Sequence, residues 1–187
     1  PGKQHRPERR AIIPLGPTGS GYEGMNRSWG GGLIELPDGA WATLHEGVSF
    51  LHNFRAQEAA YDPFPARQAS QLRWSRWQPH RLCGLEAAVE GRFTIPAMMR
   101  HREELRLNYR CQPGGWLAVE LISAIPSRLN PDAEGIPGFT FTDCDRLTGD
   151  ALNQLVTWRG NSNIASIGQT LAIRVRMFQA KLFAYQC

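Results

Sequence analysis

The sequence lacks the features that mark membrane spans and helical bundles. No stretch approaches the roughly 20 consecutive apolar residues that a membrane-crossing helix requires. No segment carries apolar residues at helical spacing over three or more turns. We therefore expect neither a membrane partner nor a helical fold.

Signatures of metal binding and catalysis are also scarce. The four cysteines form no CxxC pair, and no pair of histidines lies near them to complete a zinc site. The chain has no G-x-S-x-G motif, and Gly30 to Gly32 indicates a turn, because no strand and helix flank it as a phosphate-binding loop would need. Glu23 and Glu46 flank a predicted hairpin and could form a hydrolase acid pair, but any two of the 17 acidic residues would look equally suggestive. The sequence predicts no catalytic activity for this chain alone.

Lysine is rare among the basic residues. Only Lys3 and Lys181 are present, so 21 basic residues minus 2 leaves 19 arginines, and the net charge is +4. Apart from a short arm at Arg6, Arg9 and Arg10, the arginines are scattered along the chain instead of forming a stripe. Scattered arginine is typical of a solvated surface, so this distribution disfavours nucleic acid as a partner.

Turn residues and period-two alternation dominate what is present, and they predict an all-β fold. Gly30 to Gly32 precede a predicted strand from Leu33 to Leu36. Pro37-Asp38-Gly39 is a tight-turn sequence that leads into a second strand from Ala40 to Gly47. These two strands predict a hairpin in the first part of the chain.

A change of composition divides the chain. Asn53 to Ser70 is rich in Ala, Gln, Pro and charge, which blocks regular structure, so we place a boundary between residues 1–70 and 71–187. Seven strands in the second part suit an antiparallel β-sandwich of jelly-roll type. The predicted strands are Leu72 to Trp77, Arg92 to Ile95, Leu105 to Cys111, Trp116 to Leu121, Leu152 to Trp158, Leu171 to Phe178 and Lys181 to Gln186.

The alternation in the second part predicts one dry and one wet face. Leu171, Ile173 and Val175 alternate with Arg174 and Arg176, as an antiparallel sheet that covers a core requires. The last two predicted strands are separated by too few residues for a crossover helix. They are expected either to pair as a hairpin or to continue through a bulge.

Several motifs of the chain resemble one known architecture. The stretches "IPGFTFTDCDRLTGD" and "VTWRGNSNIASIGQTLAIRVRMFQAKLFAYQ", together with "LRLNYRCQPGGWLAVELI", are similar to the C-terminal β-sandwich domain of glycoside-hydrolase-like proteins with a five-bladed β-propeller. Upstream, "RRAIIPLGPTGSGYEGMNRSWGGGLIEL" and "AWATLHEGVSFLHN" resemble, more loosely, the last propeller blade. The chain departs from the blade pattern at two places. It has Tyr22-Glu23-Gly24-Met25 where the pattern has Asp-Ser-Gly-Met, and Ala42-Thr43 where the pattern has a Tyr-Tyr pair.

The resemblance implies a role and its limits. Catalytic carboxylates of such propellers are expected on earlier blades, which this sequence does not contain, so no catalytic role transfers to any residue here. The N-terminal hairpin would be a remnant of a blade. Because an isolated hairpin is marginal in water, it is expected to pack on the sandwich, on a second copy, or on a missing propeller domain.

Aromatic residues are the candidates for carbohydrate binding. A pyranose ring stacks its C–H face on an aromatic ring while its hydroxyls bond planar polar groups. The predicted carbohydrate-binding residues are Trp29, Trp41, His45 and Trp116. Trp41, with His45 beside it, is the best candidate for a surface site. Trp158 alternates with Val156 and Gln154 within a predicted strand and is predicted to lie in the core.

One acidic loop is a candidate metal site. Asp143, Asp145 and Asp150 lie within eight residues, and carboxylates gathered on one loop can supply the oxygen ligands of a structural calcium ion. The spacing is not that of a helix–loop–helix calcium site. The alternative is that these acids brace the loop by bonding local backbone amides.

The leading functional hypothesis is a non-catalytic accessory module, related to glycoside hydrolases, that contacts carbohydrate. Two alternatives stay open. One is a structural protein that forms a homo-oligomer through the hairpin, and the other is the C-terminal fragment of a glycoside hydrolase.

Overall fold

The computed structural model of the chain describes residues 11–28, 31–50, 70–123, 133–168 and 170–187. In this part of the chain there are eight β-strands and no helix, so the predicted all-β, sandwich-like fold with antiparallel sheets is confirmed. The strands are β1 (Met25–Ser28), β2 (Ile34–Glu35), β3 (Trp41–Val48), β4 (Ser70–Trp77), β5 (Leu85–Met99), β6 (Arg106–Ile122), β7 (Asp150–Leu155) and β8 (Thr170–Gln186).

The contacts divide the chain into two compact units, Pro1–Pro79 and His80–Cys187. In the first unit β3 is the central strand, with β1 and β2 paired antiparallel to its two halves and β4 paired antiparallel along its whole length. The predicted hairpin is the β2–β3 pair. Its turn is closed by the bond from Leu36 N to Ala40 O, and Gly39 adopts the positive φ of 78° that glycine tolerates best.

Strand β4 lies in a different place from the one we expected. Leu72 to Trp77 was predicted to open the sandwich of the second part, but β4 pairs with β3, with Trp41 opposite Trp77 and Leu44 opposite Trp74. Alternation fixes which side chains share a face, but it does not name the neighbouring strand. The change of composition before residue 70 therefore led us to assign this strand to the wrong part of the chain.

The second unit contains one four-stranded antiparallel sheet in the order β5-β8-β6-β7. Strands β6 and β8 were each predicted as two strands, but each runs on through a bulge, where their register shifts between Cys111 and Trp116. Of the two expectations for the end of the chain, continuation through a bulge is correct. Gly114 and Gln179 have positive φ angles of 82° and 45° at this bulge, which bends both strands.

The core of the second unit lies on one face of this sheet. The predicted dry residues Leu171, Ile173 and Val175 are all buried there. The second layer over them is irregular chain on either side of β7, residues 133–149 and 156–168, and an isolated bridge between Leu117 and Leu147 ties it to the sheet. It contributes further core residues, namely Phe139, Cys144, Leu147, Val156, Trp158, Ile164 and Ile167.

Trp158 is the largest fully buried side chain, as predicted from its neighbours, with 1% of its surface exposed. Its indole Nε1–H donates to the backbone oxygen of Val119 at 2.9 Å, and its ring meets that of Phe139 edge-on at 5.2 Å between centroids. The polar edge of the ring is therefore satisfied inside the core, as a buried indole requires.

Among the described residues, a small cluster of Ile122, Ala133 and Ala172 covers one end of the opposite face of the sheet. There the guanidinium of Arg174 is buried and donates to Glu120 Oε1 at 2.6 Å and to the backbone oxygen of Ala133 at 2.9 Å. Because both charges are paired and hydrogen-bonded, their burial is tolerated.

Candidate functional site

In the described part of the chain, the rest of this second face is the candidate binding surface. Along β6, Leu117 and Val119 enter the core, so Trp116 projects from the other face of the sheet. On β8, Phe178 lies directly across from Trp116, and Arg176, two residues away, shares that face. We name this surface the Trp116 face; the register and the contacts place on it Glu86, Glu90, Arg110, Trp116, Arg146, Arg176, Phe178, Lys181 and Phe183.

Trp116 lies in an open depression of about 480 Å³. Residues 111–116 form one side of it, and Arg146, Thr148 and Gly149 form the other. The ring is partly buried, so it is held firmly while part of its surface still meets solvent. The guanidinium carbon of Arg146 lies 4.5 Å from the ring centroid, and that of Arg176 lies 5.7 Å away.

The bulge in β6 creates this depression. Gly114 adopts a positive φ, and a Cβ on Gly115 would lie 2.4 Å from the backbone oxygen of Gln179, so neither position accepts an ordinary side chain without rearrangement. A bulge turns the strand locally and re-aims the side chains beside it. The sequence Pro113-Gly114-Gly115 therefore does more than begin a strand; it sets where Trp116 points.

A second depression of about 460 Å³ adjoins the first. It is lined by planar or charged side chains and one aromatic ring, and Gln112 lines both depressions. Its polar and aromatic lining residues are Glu86, Arg110, Gln112, Gln179, Lys181 and Phe183. Gln179 holds a positive φ that side-chain-bearing residues rarely adopt, and such strain is found more often at binding sites than elsewhere.

The charges of the Trp116 face are partly neutralised in pairs. Arg176 Nε donates to Glu90 Oε1 at 2.6 Å, and Lys181 Nζ lies 3.2 Å from Glu86 Oε2. The hydrogen bond from Arg176 lowers the pKa of Glu90, with desolvation opposing it and the charge of Arg146 adding to it. Glu90 is therefore ionised at neutral pH and serves as the counter-ion of Arg176.

This arrangement suits binding more than chemistry. An aromatic ring with planar amide and guanidinium groups around it is the combination that holds a sugar ring by stacking and hydrogen bonds. The carboxylates of the face are engaged with cations, whereas a general acid needs a raised pKa. Of the three predicted carbohydrate-binding residues that the structure describes, Trp116 is the one that lies in such a setting.

The predicted Trp41–His45 surface is arranged differently from what we expected. Both side chains lie on one face of the first unit's sheet, where Trp41 is opposite Trp77 and His45 is opposite Arg73. His45 is only 4% exposed, so the expectation of a surface histidine is wrong. Its Nε2 bonds Ser75 Oγ at 2.9 Å, while its Nδ1 is buried without a hydrogen-bond partner among the described residues.

Burial also sets the charge of His45. Desolvation lowers the pKa of the imidazole, and the positive charge of Arg73 lowers it further, so the ring is neutral at pH 7. A neutral buried histidine bonded to Ser75 fastens β3 to β4. The third predicted tryptophan, Trp29, lies outside the described residues.

The predicted metal ligands are not brought together. Within the described ranges, no three acidic, histidine or cysteine side chains are close enough to hold a metal ion. Asp143 accepts hydrogen bonds from Thr140 N and Oγ1, and Asp145 accepts them from Thr157 Oγ1 and Gly160 N. These two acids follow the bracing alternative, and the geometry gives no support to a calcium site.

Asp150 has a different set of partners. It receives Arg81 at 2.6 Å on one carboxylate oxygen and Arg110 at 2.7 Å on the other. Arg81 also bonds the side chain of Asn108, so this acid ties the segment before β5 to strands β6 and β7. Two guanidinium groups on one carboxylate leave it no role as a calcium ligand.

The two acids considered for hydrolysis also have structural partners. Glu23 accepts from Gly19 N at 3.0 Å and from Ser20 Oγ at 3.3 Å within its own loop. Glu46 lies 3.9 Å from Arg27 across the β1–β3 pair. Neither contact resembles the arrangement of a general acid with a nucleophile.

The four cysteines are free thiols. Burial raises the pKa of Cys111 and of Cys144 to about 11, so both are protonated and poorly nucleophilic at neutral pH. Cys111, although it borders the Trp116 depression, is therefore part of its wall.

Some site residues escaped the sequence analysis. Gln112 precedes the Pro113-Gly114-Gly115 turn that pointed to Trp116, so its position was within reach of the same signal. Arg146 reaches the site because Leu147 bridges to Leu117, a contact between residues 30 positions apart that no local pattern reveals.

No known protein family, curated protein or solved structure matches the chain. In the part that the structure describes, no helix is long and apolar enough to cross a membrane. A function for this chain has therefore to be inferred from the geometry of the site.

Proposed function

We propose that the chain is a non-catalytic accessory module that binds carbohydrate through the Trp116 face. The observation that supports this most is the partly buried ring of Trp116 in an open depression of about 480 Å³, which shares Gln112 with a second depression of about 460 Å³. We also propose that the module is related to the C-terminal sandwiches of glycoside-hydrolase-like propeller proteins, on the motif resemblance described above.

The shape of the face favours a chain of sugars over a single small molecule. Drug-sized ligands are usually enclosed in pockets that bury most of their surface. Both depressions are open and adjacent, and each has planar polar groups in its lining, with Gln112 in both, so consecutive sugar units can lie along the sheet. Trp116 would support one unit, and Phe183 with Gln112 and Gln179 would support the next.

The test is calorimetric titration of the chain with a panel of neutral and acidic polysaccharides. We expect binding to at least one of them, and we expect Trp116→Ala to weaken it at least about tenfold, because a stacked ring loses its platform. Trp116→Phe, which keeps an aromatic face, should lose less. Trp74→Ala removes an exposed tryptophan of the first unit and is the matched control.

Two outcomes would contradict this proposal. One is the absence of binding to every polysaccharide by a correctly folded chain. The other is an equal loss in the Trp116 and Trp74 variants, which would move the binding surface elsewhere.

A second candidate function, assembly with another copy of this chain, is favoured by one apolar surface of the first unit. On the face of its sheet opposite His45, Ile34, Leu72 and Trp74 are 42%, 71% and 55% exposed. A two-fold partner would present the same row and cover it. Sedimentation of the wild type and of Leu72→Glu tests this; a monomer in both cases would reject it.

A further inference from the structure

The strongest unexplained feature of the Trp116 face is the side chain of Arg146. Lys181, Arg110 and Arg176 on this face each pair with a carboxylate. In the described part of the chain, the contacts of Arg146 are with the Trp116 ring and, at longer range, with the charge of Glu90. Its guanidinium hydrogen-bond donors are therefore left for solvent or for a ligand.

The position of Arg146 makes this availability relevant to binding. The guanidinium lies over the Trp116 ring and forms part of the wall of the same depression. Contact with the ring restricts an otherwise flexible side chain, so less conformational entropy is lost when it binds an anion. The planar fork matches the geometry of a carboxylate or a sulfate, which it can bind through two parallel hydrogen bonds.

The surrounding charges agree with an anionic ligand. Glu90 lies close enough to Arg146 for that charge to lower its pKa, and it already neutralises Arg176 through a direct hydrogen bond. Glu90 and Glu86 neutralise Arg176 and Lys181, while Asp150 is shared by two guanidinium groups. In the described part of the chain, Arg146 is a cation beside the ring with no direct carboxylate partner. A neutral sugar would leave that charge unmatched, whereas an acidic sugar would pair with it.

We propose that the Trp116 face selects glycans that carry an oxyanion on the sugar ring, a uronate carboxylate or a sulfate, and that Arg146 binds this group while Trp116 contacts the ring. This inference depends on the proposed carbohydrate binding and specifies its substrate class. Arg146 sets specificity, and Trp116 supplies binding common to neutral and acidic sugars.

The experiment uses pairs of ligands with the same sugar backbone, one member of which carries the anionic group and the other a neutral group in its place. The full chain is titrated with oligogalacturonate and with the same oligosaccharide as its methyl ester, then with a sulfated carrageenan oligosaccharide and its desulfated form. We expect the charged member of at least one pair to bind about tenfold or more tightly than the neutral member. The pair with the larger ratio identifies the anion as carboxylate or sulfate.

Substitution of the arginine tests the assignment. Arg146→Gln keeps a planar hydrogen-bonding group but removes the charge, so it should weaken the charged ligand far more than the neutral one and abolish the preference for charge. Arg102→Gln, which removes an exposed arginine away from the face, should retain the preference. Raising the salt concentration should weaken the charged ligands alone.

The outcomes separate this inference from the proposed function. Equal binding of charged and neutral ligands, with both lost in Trp116→Ala, would overturn the role of Arg146 and leave carbohydrate binding intact. Equal loss of both ligands in Arg146→Gln would show that the arginine only supports the ring, which also overturns it. If polyglutamate binds as tightly as the acidic glycan, the preference for charged ligands is an attraction to any polyanion, which also overturns this inference. If no sugar binds, the proposed function itself is rejected.

Discussion

The two units of the chain use β-structure in different ways. In the first, strands of two to eight residues form a sheet whose described buried apolar residues are Ala42 and Val48. In the second, strands of up to 17 residues support a continuous core that extends from Leu105 to Leu182. Since burial of apolar surface is the main stabilising contribution, the second unit should supply most of the stability of the chain.

The difference also separates stability from binding. The second unit buries one face of its sheet and leaves part of the other open, so a rigid core can hold the Trp116 face in place. The first unit keeps large apolar side chains exposed on one face and a buried histidine on the other. Its smaller buried core gives it fewer means to stay ordered by itself.

The largest expected effect is at Trp158. Trp158→Ala removes the largest buried side chain and the bond to Val119, so it should lower the free energy of unfolding by about 3–5 kcal/mol. Trp74→Ala, at a 55% exposed position of the first unit, should change it by less than about 0.5 kcal/mol. Urea denaturation followed by tryptophan fluorescence and circular dichroism measures both, and similar losses would contradict the contrast between the units.

The next effect concerns the buried pair of Arg174 and Glu120. Arg174→Met leaves the Glu120 carboxylate buried without its partner and should cost about 3–5 kcal/mol. The double variant Arg174→Met with Glu120→Leu removes both charges and should recover most of that loss. A double variant as unstable as the single one would mean that the pair itself, and not the unpaired charge, determines the loss.

A smaller effect depends on pH. Hydrogen bonds from Thr157 and Gly160 lower the pKa of Asp145 in the folded protein. A folded-state pKa below the unfolded value gives stability that is present above about pH 5 and is lost as the pH falls through the folded-state pKa. Asp145→Asn should therefore lower the urea midpoint at pH 7 and flatten its decline toward pH 3.

A matched variant controls for the loss of a negative charge. Glu134→Gln alters an exposed acid in the same unit and should leave the pH profile close to that of the wild type. If the two variants show the same profile, the hydrogen bonds to Asp145 do not contribute to acid stability.

The smallest effect is expected at the exposed edge of the first unit. Leu72 is 71% exposed, so Leu72→Thr should change the free energy of unfolding by no more than about 0.5 kcal/mol, since threonine also favours strands. A loss of 2 kcal/mol or more, measured in dilute solution and again at high concentration, would show that this side chain is buried in an assembly.

These contrasts show how far the sequence could predict the fold. The hairpin turn at Pro37-Asp38-Gly39 and the dry residues Leu171, Ile173 and Val175 follow local rules, and the structure has both. No local rule identifies the strand that pairs with β4. The alternating pattern that ends at Trp77 is compatible with pairing to any neighbouring strand. The bulge in β6 was interpreted as a strand end, since Pro113-Gly114-Gly115 has the composition of a turn. For β8, continuation through a bulge was one of the two expectations.

The site could be predicted only in part for the same reason. Trp116 was identified from the turn that precedes it in sequence. Arg146 comes from the irregular second layer and reaches the ring through the bridge between Leu147 and Leu117. The alternating pattern of β3 is compatible with a surface position for His45, but neighbouring side chains on its face of the sheet bury it. Alternation within one strand does not reveal burial by other segments of the chain.

The most direct test of the Trp116 face is an NMR titration that resolves the indole N–H signals of the six tryptophans. The wild-type chain is titrated with oligogalacturonate and, separately, with its methyl ester. We predict that the indole signal of Trp116 shifts the most, in proportion to the amount of bound ligand. The signal of the buried Trp158 should not shift. Saturable binding that shifts Trp41 or Trp77 and leaves Trp116 unchanged would contradict it.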